Sequence, residues 1–187
     1  DKIPRSMFPE EQYLLRDRAS YPPLILSDGT MHGVSARQDA LEQIMDRLSD
    51  YVYRKALFAC AEVFRQELVE VKFFLLFMAL ESLARQRLNE YIESAPSVLK
   101  KFLGDNLRFN VSQDSPNALS RATSTYCHLR NAVFHNGRIE KTVNVSGNML
   151  TYELVKYWGP FCRLAPLAVL RDTGFTHADM EWDDWYA

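Results

Sequence analysis

Glycine, cysteine and net charge are all scarce in this chain. Seven glycines among 187 residues disfavour an all-β fold, which needs glycine at its many tight turns. The three cysteines, Cys60, Cys127 and Cys162, are odd in number, far apart and set among apolar residues. They show no zinc-ligand spacing and no CxxC pair, so free buried thiols in a reducing cytoplasm are expected. No P-loop, GxGxxG, HExxH or GxSxG motif is present. Kinases, dehydrogenases, zinc enzymes and serine hydrolases therefore lack support, and no cofactor or metal is expected. The longest apolar run, Phe73 to Leu80, is much too short to span a bilayer. No secretory signal is visible at the start. A cytoplasmic protein without a membrane partner is the expectation. The formal net charge of −2 argues against bulk attraction to nucleic acid, though not against a local basic groove.

Apolar residues make up 47% of the chain and aromatics 12%, enough for the core of one domain. Residues 1–34 read as an N-terminal arm, because Pro4, Pro9, Pro22 and Pro23 break any helix. Leu24-Ile25-Leu26 before Ser27-Asp28-Gly29 fits one short strand and a turn. Residues 35–172 read as a helical domain. Residues 173–187 read as an acidic tail carrying Trp182 and Trp185. A start at Asp1-Lys2 without methionine fits a chain trimmed, or cut from a longer protein.

Ser35 with Gln38 forms a capping box that opens a helix. Leu41, Ile44, Met45, Leu48 and Val52 follow at helical spacing as one apolar stripe. Neither glycine nor proline occurs from Ser35 to Ser94. Such a length requires at least two helices, with a break between Asp50 and Val71. The second contains Phe73 to Leu80, apolar all round, which describes a central helix covered on every side. Glu81 at its edge has two readings: a surface charge paired i to i+4 with Arg85, or a carboxylate holding a site arginine or histidine. Pro96 is expected to end this helix, and a short one over Val98 to Leu103 to stop at Gly104. Residues 105–114 read as a loop. Ser115-Pro116 then starts a helix running through His135, with Leu119, Ala122, Tyr126, Leu129 and Val133 as its core stripe. Thr142 to Val145 and Met149 to Tyr152 flank Ser146-Gly147-Asn148 as a β-hairpin, unless Met149 to Tyr152 begins the next helix. A last helix over Glu153 to Arg171 should kink at Gly159-Pro160 and Pro166.

One segment concentrates reactive side chains: Tyr126-Cys127-His128-Leu129-Arg130-Asn131-Ala132-Val133-Phe134-His135-Asn136-Gly137. Ala132, Val133 and Phe134 serve packing. Arg130, Asn131 and His135 offer a guanidinium, an amide and an imidazole. Gly137 suits a left-handed C′ position, which places His135 in the last turn, where the helix dipole favours positive charge. Asn131 and His135 fall on nearly one face, with Arg130 more than a quarter-turn away. Such a fan suits a groove whose other wall is a second copy of the helix. Between Ser97 and Lys141 seven basic residues stand against Asp105, Asp114 and Glu140, so the region is locally positive. His128 reads as a packing or surface residue, and His32 as a loop residue.

Arg130-Asn131-x-x-x-His135, late in a helix of an all-α domain whose central helix reads Phe77-Met78-Ala79-Leu80-Glu81, resembles the HEPN family. The resemblance covers Ser35 to Gly137 and on into the last helix. Its signature is an arginine, usually followed by a polar residue, with a histidine four to six positions on; here the spacing is the shortest. The resemblance implies an all-α, HEPN-like helical bundle with a small β-hairpin insertion. Many such proteins are metal-independent ribonucleases, and others only bind RNA or nucleotide. They generally dimerise with the motifs facing each other, and recur in toxin–antitoxin, abortive-infection and CRISPR-linked defence systems. The implied catalytic residues are Arg130, Asn131 and His135. The implied partners are an RNA substrate, a second copy, and an antitoxin or regulatory partner domain. Some members carry a tyrosine after the histidine that a partner nucleotidyltransferase modifies; Asn136-Gly137-Arg138 departs from that pattern.

The chemistry fits these residue types independently. Metal-free RNA cleavage needs a base near the 2′-hydroxyl, a donor on the phosphate and an acid at the leaving oxygen. An imidazole can be base or acid near neutrality, and a guanidinium binds phosphate bidentately. Two alternatives remain. One is an inactive HEPN-like module for dimerisation or for binding RNA or nucleotide. The other is a helical scaffold whose acidic, tryptophan-bearing tail recruits a partner.

Overall fold

The computed structural model describes residues 31–104, 109–110, 121–145 and 147–176. Of these, 72% are helical, with a small two-stranded antiparallel sheet. In chain order the elements are α1 (Met31–Arg47), α2 (Tyr51–Glu62), α3 (Val69–Leu88), α4 (Ala95–Leu103), α5 (Thr123–Asn136), β1 (Glu140–Val145), β2 (Asn148–Glu153) and α6 (Leu154–Asp172). The expected strand at Leu24–Leu26, most of the 105–114 loop, the Ser115-Pro116 start signal, Leu119 and the tryptophans of the tail lie outside the described residues.

Helix α1 begins at Met31, ahead of Ser35. A cap contributes only about 1 kcal/mol, too little to prevent a helix that the preceding residues can continue. The expected stripe is also corrected. Leu41 and Met45 are exposed, Val52 belongs to α2, and the inward edge is Ala40, Ile44 and Leu48, spaced i, i+4, i+8. The long glycine-free stretch breaks twice. Asp50 caps α2, its Oδ1 accepting from the amides of Val52 at 2.9 Å and Tyr53 at 3.1 Å. A 3-10 turn over Val63–Arg65 and an extended Gln66 then lead into α3.

Helix α3 packs against α2, α4, α5 and α6. Its Phe73, Leu76, Phe77, Leu80, Leu83 and Ala84 are buried. Phe161 of α6 meets Phe73 at 5.0 Å between ring centroids and Tyr126 of α5 at 4.9 Å. The expectation that α3 is covered all round is overturned. Val71 and Met78 are exposed, and Leu75, Met78 and Ala79 line an open groove of about 690 Å³ with Val52, Phe58 and Ala59 of α2. A run apolar on every side dictates burial only where neighbours exist to cover it. Helix α3 ends at Leu88, where Asn89 takes a left-handed conformation (φ 53°). Pro96 stands in the first turn of α4 instead, where its missing N–H costs nothing. Gly104 stops α4 as expected, at φ 67°.

Helix α5 does not run unbroken from the Ser115 region. Ala122 is extended and bridges Asn110, and Thr123 Oγ1 donates to the Pro96 carbonyl at 2.8 Å. These contacts seat the start of α5 on α4. The hairpin forms as a strand pair, with Lys141 opposite Tyr152 and Val143 opposite Leu150 on one face. Tyr152 is buried and Val143 and Leu150 are half-buried, joining the core. Gly147 turns the chain at φ 87°, its amide donating to Asn144 Oδ1 at 2.9 Å. Helix α6 contains both Pro160 and Pro166, each deleting the N–H that would reach the carbonyl four residues back. Past it, Phe175 is buried in the core, so packing continues beyond residue 172. Arg87 of α3 pairs with Asp172 at 2.7 Å and Asp50 at 2.6 Å, tying three helices together.

Candidate functional site

The motif is held where α5 crosses α3 antiparallel. Phe134 lies against Phe74, and Arg130 against Phe77 and Glu81. Advancing along α5 thus retreats along α3. The α3 face involved is Phe74, Phe77, Glu81 and Arg85, recurring every three or four residues.

Arg130 is pulled inward. Its guanidinium sits 5.2 Å from the centroid of the Phe77 ring, a cation–π contact. Its Nη2 lies 3.5 Å from Glu81 Oε2, and the two side chains are only 22% and 12% exposed. Its Nε is buried with no hydrogen-bond partner among the described residues. The Glu81 carboxylate contacts two arginines. Its Oε1 accepts from Arg85 Nε at 2.9 Å and Nη2 at 2.7 Å, the expected i to i+4 pair. Its Oε2 faces Arg130. Arg85 also donates to the carbonyls of Glu90 at 3.1 Å and Glu93 at 3.0 Å, so the anion that faces Arg130 is itself fixed. The shorter contacts belong to Arg85, which leaves Arg130 the less committed cation.

Asn131 and His135 point the other way. Both are exposed, one turn apart on the outer face of α5. Gly137 closes the helix in the left-handed region at φ 58°, as expected. Its amide donates to the Val133 carbonyl at 3.0 Å, and that of Arg138 to Ala132 at 3.1 Å. His135 therefore stands at the last turn with its ring 5.1 Å from that of Phe134, edge on. The three side chains are not brought together within one copy: Arg130 lies against the core, while the amide and imidazole face outward.

Phe134 corrects the sequence reading. Expected to pack, it is 60% exposed. One face of its ring lies parallel on Phe74, with centroids 5.1 Å apart and planes at 2°. Phe74 was expected among fully covered residues and is half-buried.

His128 turns to the hairpin, its ring centroid 6.1 Å from that of Tyr152. Burial, then the nearby Lys141 charge, lower its pKa below the ordinary value. Burial pushes the Cys127 thiol up to about 12, despite the neighbouring Arg130, so Cys127 is an inert core residue. Among the described residues no group of three or more His, Cys, Asp or Glu side chains is arranged to hold a metal ion. No described helix is long and apolar enough to cross a membrane. Comparison with protein-family models, with curated proteins and with solved structures finds no match.

Proposed function

We propose that this chain is a HEPN-type, metal-independent RNA endonuclease that acts as a homodimer, in a defence or stress-response setting. The observation that carries the proposal is the Arg130 arrangement. A guanidinium whose buried Nε has no hydrogen-bond partner among the described residues is set over Phe77 beside a Glu81–Arg85 pair, in the same short segment that exposes Asn131 and His135. In this reading the 2′-oxygen attacks phosphorus and forms the O2′–P bond while the P–O5′ bond breaks. One imidazole takes the 2′-hydroxyl proton, and another delivers a proton to the leaving O5′. Each copy supplies one His135, so the dimer supplies both. Arg130 neutralises the charge that builds on the phosphoryl oxygens, and Asn131 hydrogen-bonds the phosphate. The products are a 2′,3′-cyclic phosphate and a 5′-hydroxyl.

A second reading is an inactive RNA- or nucleotide-binding module with the same fold. The exposure of His135, without a side chain to orient its ring among the described residues, favours it. The test is cleavage of a mixed RNA pool by the purified chain in excess EDTA, beside His135→Ala and Arg130→Ala, with analysis of the ends. Expected losses are about 10²- to 10⁴-fold for His135→Ala and about 10²- to 10³-fold for Arg130→Ala, with cyclic phosphate ends from wild type. Cleavage that survives both substitutions refutes the site. RNA binding without cleavage by a folded dimer selects the second reading.

A further inference from the structure

Phe134 is oddly placed for a residue that only packs. Its ring is fixed on one side by the parallel Phe74 ring, yet most of it meets solvent. Phe74 is itself steadied on α3, half-buried beside the buried Phe73 and Phe77. The result is a flat, exposed aromatic surface with the His135 ring set at a steep angle to it, 5.1 Å away between centroids. It stands one helical turn from Arg130 and next in sequence to His135. The segment around it is basic: residues 121–141 carry Arg121, Arg130, Arg138 and Lys141 against the single acid Glu140. Of the α3 carboxylates on this face, Glu81 is buried and already engaged by arginine, and Glu70 stands one turn before Phe74.

We propose that Phe134, backed by Phe74, is a stacking platform for an unpaired RNA base beside the Arg130–His135 segment. This rests on the RNA-site reading above and adds a base-holding residue to it. A π-stack of two rings extends to a third layer by offering its outer face to any base, whatever its identity. A base inside a duplex has both faces covered by its neighbours and cannot use the platform, whereas an unpaired base can. The surrounding positive charge matches the phosphates on either side of that base. The shared preference is for strandedness and not for sequence, since the platform offers no hydrogen-bonding edge.

The experiment measures binding of a fluorescent single-stranded oligoribonucleotide and of the matched duplex to full-length His135→Ala, which blocks turnover. The comparison proteins carry Phe134→Ala or Phe134→Trp in addition. The single strand should bind more tightly than the duplex. Phe134→Ala should weaken the single strand about five- to a hundredfold and leave the duplex unchanged, while Phe134→Trp retains binding. A 2-aminopurine in the single strand should be quenched by the parent and the tryptophan variant, and not by the alanine variant. Single-strand binding that ignores Phe134→Ala overturns the platform while leaving the RNA site standing. So does equal weakening of both RNAs. Loss of the dimer by Phe134→Ala in sedimentation, with no loss of quenching, assigns the ring to a protein interface instead. Failure of every protein to bind either RNA overturns the RNA-site reading and the platform with it.

Discussion

Glu81 receives arginines from two helices, and the two contacts are unequal. Arg85 reaches it at 2.7 and 2.9 Å, Arg130 at 3.5 Å. Replacing the carboxylate with an amide leaves two neighbouring guanidiniums without their anion. Glu81→Gln should therefore lower stability by about 2 kcal/mol, seen as a fall of roughly 4–8 °C in the melting temperature. Double-mutant cycles on thermal stability should give a larger coupling for Glu81 with Arg85 than with Arg130, as the distances order them; the reverse order would refute this account of the carboxylate. The Glu81–Arg85 pair was legible, because i to i+4 spacing on a helix is a local rule. The Glu81–Arg130 contact was not, because it depends on α5 crossing α3 antiparallel at one register. Phe134 was misread for a related reason. Residue type states a preference for burial, but which phenylalanine of eleven is left outside is decided by which surfaces find a neighbour.

At the scale of elements, glycine stop signals proved the most legible. Gly104 and Gly137 end α4 and α5 where expected, both at positive φ. Only glycine adopts that conformation without penalty, so its message is strong. Ser35 as a cap and Pro96 as a stop were both overridden: α1 starts ahead of the serine, and α3 ends at Leu88, with Pro96 in the first turn of α4. Gly137 gives a clean test, since a Cβ there would meet nothing within 4 Å and any cost is backbone strain alone. Gly137→Ala should lose about 1 kcal/mol, measurable by urea unfolding, while Gly137→Asn should lose less because asparagine tolerates the left-handed region. Equal losses for both would mean that the left-handed cap is not what the glycine supplies. The hairpin was legible from its glycine turn and alternating residues, and the structure decides in favour of a second strand over an early start to α6.

For the whole molecule, the bundle is fastened at one end by Arg87, whose guanidinium joins the capping residue of α2 to the last residue of α6. None of the three side chains is more than 23% exposed. Arg87→Ala would strand two carboxylates together, and a loss of about 3 kcal/mol is expected, read from chemical denaturation. A loss within the few tenths usual for a surface pair would show the junction to be dispensable. The sequence carried the helical class and the location of the motif, both of which follow from short-range periodicity. The groove between α2 and α3, the Arg87 junction and the two-sided Glu81 contact were hidden, because each joins residues that only the assembled bundle makes neighbours. The hairpin shows the converse. Leu154 N donates to the Ile139 carbonyl at 2.8 Å, so the chain returns at β2's end to where it departed before β1. Everything between is a closed detour, held to the core by Tyr152, Val143 and Leu150. Its tip at Gly147 is exposed, and residues added there lengthen a loop without moving α5 or α6. The tip of the detour is thus a natural place for an inserted label to report on the adjoining motif without displacing it.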